Sequence, residues 1–97
     1  MVINVQMKNE NFIDADIEET IKDSFSREIE IAKFKLQRYS RICKHFEIKY
    51  KMTSEEFFYK FENGQLNEDE DFFDWYAAIR AVEIWKKKHT ILDGISL

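Results

Sequence analysis

The 97-residue chain has no proline, only two glycines and a single cysteine. Without proline and with so little glycine, almost nothing interrupts a helix, and an all-α or nearly all-α chain is predicted. Cys43 has no second cysteine to pair with, so an internal disulfide is excluded and an oxidising compartment gains no support. No apolar run approaches the roughly 20 residues of a membrane span. The opening MVINVQMKNEN lacks the basic end and long apolar segment of a signal peptide. Together these absences predict a cytoplasmic protein of one small domain.

The parts needed for chemistry are missing as well. Cys43 and His45 are two residues apart, which on a helix points them about 200° from each other. His45 and His89 belong to no metal-ligand spacing, and there is no glycine-rich phosphate loop. The acidic run Glu68–Asp71 lacks the glycine and alternating spacing of a calcium loop. Neither catalysis, a cofactor nor a metal is expected.

What the chain does have is charge, in blocks. Charged residues make up 35% against about 25% in a typical domain. Residues 9–26 carry six acids and one lysine, and residues 27–51 carry eight bases and three glutamates. Residues 52–83 carry nine acids and two bases, and Lys86, Lys87 and Lys88 follow. Most such blocks are solvated faces of little energetic weight. They also suit pairing inside a domain or across a dimer.

Hydrophobic periodicity divides the chain into a short strand and three helical stretches. Ile3, Val5 and Met7 alternate with Asn4, Gln6 and Lys8, the period of a half-buried strand over residues 1–8. It finds no partner strand in this chain, so a symmetry mate or another protein is expected to supply one. Asp16 with Glu19 three residues on reads as a helix start, and a long helical region over 16–51 follows. Ser24 or Ser26 could restart it, so a break near 24–26 is plausible. From Ile29 the apolar steps alternate between three and four through Ala32, Leu36, Tyr39, Cys43, Phe46 and Tyr50, the spacing of a seam that faces another helix. With the strand, Leu36 and Tyr39 on this seam predict a coiled-coil-like homodimer contact.

Thr53 and Glu56 have the spacing of a capping box for a short helix over 54–63, with Gly64 as its left-handed stop. Asp69–Asp71 would start a last helix over 70–92, Gly94 would end it, and the lysines 86–88 would favour its negative end. A helical hairpin with a short capped helix between its arms is the expected architecture.

Between Met52 and Tyr76 lie five of the nine phenylalanines and eight of the nineteen acids. Phe57 and Phe61, four apart, suit a core face. Phe58, Phe73 and Tyr76 fall off the seams, and three helices of this size cannot easily bury every ring. Surplus rings beside Glu68, Asp69, Glu70 and Asp71 suit a surface that binds another protein.

Two resemblances bear on function. The stretch from Tyr39 to Ile79 is similar to a module of small archaeal and cyanobacterial proteins, with the pattern Tyr-Gly-Met, Ser-x-Glu-Glu-Phe, Glu-x-Gly-x-Leu and Asp-x-Glu-Asp-Phe-Phe-Glu-Trp. Tyr50-Lys51-Met52, Thr53 to Phe57, Glu62 to Leu66 and Asp69 to Trp75 carry it here, departing at Lys51, where that family commonly has glycine. Some members resemble the antitoxin half of toxin–antitoxin pairs. The resemblance therefore implies a protein-binding role that neutralises a basic partner, a candidate toxin. Second, a strand followed by helices, with Ser26-Arg27-Glu28 near the second helix start, resembles ribbon-helix-helix repressors, which read DNA as dimers. That alternative lacks the turn glycine, and the acids of 9–26 would repel a phosphate backbone. A purely structural dimer is a third possibility.

Overall fold

The computed structural model describes residues 12–95; the expected strand, with Ile3, Val5 and Met7, lies outside them. Three helices and no strand are found among the described residues: α1 (Asp14–Tyr50), α2 (Ser54–Glu62) and α3 (Glu70–Asp93). The chain is mainly helical, as its composition predicts. α1 and α3 form a hairpin, and α2 packs beside its closed end. The Cα envelope measures 60 × 21 × 21 Å. Its radius of gyration is 19.3 Å, against about 12.5 Å for a compact chain of this length. A rod two helices thick has only one seam between its arms to bury.

α1 corrects two expectations. It begins at Asp14 rather than Asp16, and Ile13 at its N-cap offers no side-chain acceptor. Asp14 and Asp16 both fall in the first turn, where negative charge is favoured. The break near 24–26 is not there. The Ser24 hydroxyl accepts from Arg27 at 3.5 Å instead of capping a new helix. A serine inside a helix costs only a fraction of a kcal/mol, too little to stop a run free of glycine and proline. The two-helix spacing of a ribbon-helix-helix chain is therefore absent from this stretch.

α1 ends at Lys51, which lies in the left-handed region (φ 54°, ψ 43°). A non-glycine residue there is strained, yet the chain reverses at this residue into Thr53. The Thr53 Oγ1 accepts from the Glu56 N–H at 3.1 Å, so the threonine half of the expected capping box forms. The Glu56 carboxylate pairs with Lys60 at 3.1 Å. At the other end, Gln65 N donates to Lys60 O at 2.9 Å and Gly64 N to Phe61 O at 3.2 Å. With Gly64 at φ 66°, this is a Schellman stop. α3 opens with the Asp69 carboxylate accepting from the Asp71 N–H at 2.8 Å. Its last turn holds no basic residue. The lysines 86–88 stop short of it, beyond the reach of the dipole effect; Lys88 lies over the Trp85 ring at 5.0 Å instead.

The core is small and aromatic. Phe46 of α1, Phe57 of α2 and Trp75 of α3 form its centre, with Ile42, Cys43, Met52, Leu66, Phe72 and Ile79 packed around it. Phe57 stacks on Trp75 with centroids 4.0 Å apart, and Phe46 stacks on its indole at 5.8 Å. Ala32 of α1 and Ala78 of α3 are buried as well. At the open end Leu92, Phe25 and Ile29 line one cleft between the arms. The seam predicted from Ile29 to Tyr50 thus faces α3 of the same chain. Leu36 and Tyr39 lie half-buried on it.

Candidate functional site

Two polar junctions position the closed end of the hairpin. At the first, Ser54 joins all three helices. Its N–H, left free at the start of α2, donates to the Glu47 carboxylate of α1 at 2.9 Å. Its hydroxyl accepts from the Trp75 indole N–H of α3 at 3.0 Å. A buried indole N–H without an acceptor costs roughly 1–3 kcal/mol, so this serine licenses the tryptophan at the centre of the core. Cys43 lies beside it, and burial pushes its thiol above the ordinary value. The thiolate is disfavoured, as expected for a small inert core residue.

At the second junction, Lys49 donates to the Asp71 carboxylate, and the Tyr50 hydroxyl donates to the same oxygen at 2.6 Å. The hydrogen bond from Lys49, then that from Tyr50, holds the Asp71 carboxyl below the ordinary range. The same bonds raise Lys49 and Tyr50. Asp71 therefore ties the start of α3 to the end of α1.

Beside these junctions α2 and α3 build an aromatic patch. Phe58 stacks on Tyr76 at 5.2 Å with an interplanar angle of 10°. Phe61 stacks on Tyr76 at 4.9 Å and meets Phe73 edge-on at 5.5 Å. The Tyr76 hydroxyl donates to Glu62 at 2.9 Å, which raises its pKa. Phe58, Phe61 and Tyr76 are half-buried, whereas Phe73 is 56% exposed. The structure thus brings Phe58, Phe73 and Tyr76 into one patch, with Phe61 as the ring that joins them.

The four acids separate into two kinds. Asp69 is the α3 cap and Asp71 is held by Lys49 and Tyr50, so both do structural work. Glu68 and Glu70 are exposed and make no hydrogen bond or ion pair with any described residue. Glu70 and Phe73, three apart on α3, lie on neighbouring parts of its surface. Glu47, Ser54, Lys49 and Tyr50 were not singled out from sequence as site residues. Only the serine after a cap threonine gave any signal, because their partners are 7 to 22 residues away.

Among the described residues no cluster of histidine, cysteine or carboxylates could hold a metal ion. Nor is any described helix long and apolar enough to cross a membrane. Comparison with protein-family models, with curated proteins and with solved structures finds no match to this chain.

Proposed function

We propose that this is a helical protein-binding module, antitoxin-like in role, that captures a basic partner on the ring patch of α2 and α3. One observation carries the reading. Phe73 stays more than half exposed while packed edge-on against a supporting ring, one turn from Glu70, whose exposed carboxylate makes no hydrogen bond or ion pair with any described residue. An exposed ring already packed against a neighbour loses less freedom on binding than a free one, a property of interface anchors. Free carboxylates around it attract a basic surface and speed encounter.

The test uses tagged wild-type protein and a Glu68→Gln/Glu70→Gln/Phe73→Ala variant as baits in an extract of the source cells, at low and high salt. The wild type is expected to retain a small basic protein at low salt that the variant loses. With that partner purified, Phe73→Ala should dissociate faster and the two Gln changes should associate more slowly. Baits that retain the same proteins at both salts overturn the proposal.

A further inference from the structure

We propose that a second copy of this chain docks antiparallel along the outer face of α1, making a homodimer that leaves the ring patch free. The first observation is a line on the outer face of α1 whose large apolar residues are exposed among the described residues. Ile31 (44% exposed), Phe34 (65%) and Ile48 (68%) share the three–four spacing of Ile31, Phe34, Arg38, Arg41, His45 and Ile48. That line lies more than 100° around α1 from the line of Ala32, Tyr39 and Phe46 that faces α3. Carried toward the N-terminus, the spacing reaches Ile17 and Ile13. Helix α1 also outruns its neighbour: the end of α3 shares a cleft with Lys22, Phe25 and Ile29, and residues 14–21 lie beyond that cleft.

Charge chooses the direction. Residues 14–31 of α1 carry seven acids and two bases, and residues 32–50 carry six bases and one acid. The helix is thus −5 in one half and +5 in the other. A parallel pair would set like halves together. An antiparallel pair about the helix midpoint sets each acidic half against a basic one, twice. With Ile31 of one copy opposite Phe34 of the other, the same register brings Ile17 opposite Ile48, so these four apolar positions meet one another, while Arg27 falls opposite Arg38.

Size is consistent with this. A 37-residue helix is about 55 Å long and 10–12 Å wide, so its face covers on the order of 600 Å² per chain. That is close to the roughly 800 Å² per partner of a standard interface before α3 adds anything. The fold buries five apolar side chains and leaves nine large ones exposed among the described residues, so much apolar surface remains to be covered.

The experiment is light scattering and sedimentation on the full chain. Wild type should have the mass of two chains at high micromolar concentration and approach one chain on dilution or in high salt. Phe34→Asp should have the mass of one chain at the same concentration with unchanged helix content, because the position is exposed. Ile84→Asp, on the outer face of α3, should remain a dimer. Direction is read by oxidation in a Cys43→Ser background that retains the wild-type circular dichroism. A mixture of Ile17→Cys and Ile48→Cys chains should cross-link, and Ile48→Cys alone should not. A wild type that stays monomeric, a dimer that survives Phe34→Asp, or self-cross-linking of Ile48→Cys overturns the proposal.

Discussion

At the scale of single residues, the closed end of the hairpin depends on a few hydrogen bonds made by side chains far apart in sequence. Ser54 is the acceptor for the central tryptophan, and alanine there would leave the Trp75 N–H unpaired in the core. Ser54→Ala is therefore expected to destabilise the protein by roughly 1–3 kcal/mol, read from the midpoint of chemical denaturation. No loss would mean that the indole finds another acceptor. Asp71 gives a dependence on pH with a definite sign. Its carboxyl is depressed by Lys49 and Tyr50, so its contribution is full above the ordinary carboxylate range and is lost as pH falls through the depressed value. Lys49 and Tyr50 are raised, so their contributions hold below their ordinary values and fade as pH rises beyond them. The difference in melting temperature between wild type and Asp71→Asn should thus be largest near neutrality and shrink toward acid. A difference constant with pH would remove the carboxylate from the account. None of these bonds was legible in the sequence, because serine, aspartate and lysine near helix ends have sufficient local roles. Asp71 indeed donates its own N–H to the Asp69 cap while its carboxylate reaches back 22 residues to Lys49.

The helices themselves were largely legible, since local signals decide where they begin and end. Thr53, Gly64 and Asp69 act within four residues of themselves, and the structure places a cap or stop at each. The signals that misled were also local. Ser24 and Ser26 favour a helix start only where the chain has a reason to stop, and no glycine or proline gives it one here. The seam of α1 was legible as a seam, but not which helix it faces. An antiparallel arm of the same chain and a second copy write the same three–four spacing. The joint between α1 and α2 yields a prediction at this scale. Lys51 is the one non-glycine residue with positive φ among those described. Relief of left-handed strain is worth about 1–2 kcal/mol, and the extra freedom of glycine in the unfolded chain takes back roughly 0.4–1. Lys51→Gly should therefore raise stability by about 0.5–1 kcal/mol on denaturation, with the helix content unchanged. A loss instead would show that the lysine side chain contributes more than its backbone costs.

Across the whole molecule, the fold holds one compact aromatic core at the closed end and a long, thinly covered hairpin beyond it. The fourteen tyrosine, tryptophan and phenylalanine positions other than Phe12 thus do unequal work, and burial separates them in a way that composition could not. Phe57 is fully buried between Phe61, Phe72 and Trp75. Its replacement by alanine opens a cavity that touches all three helices, so a loss of roughly 3–5 kcal/mol is expected. Phe73 is one position beyond Phe72 on the same helix, yet it is supported only from one side by Phe61. Phe73→Ala removes an edge contact and little buried area, so its cost should stay near 1 kcal/mol. A thermal melt of the two variants side by side reads this directly. A wide separation, with Phe73→Ala close to wild type, leaves that ring available to a partner. Similar losses would instead make the ring patch an outer layer of the core, and the free carboxylates Glu68 and Glu70 would then have no aromatic anchor beside them.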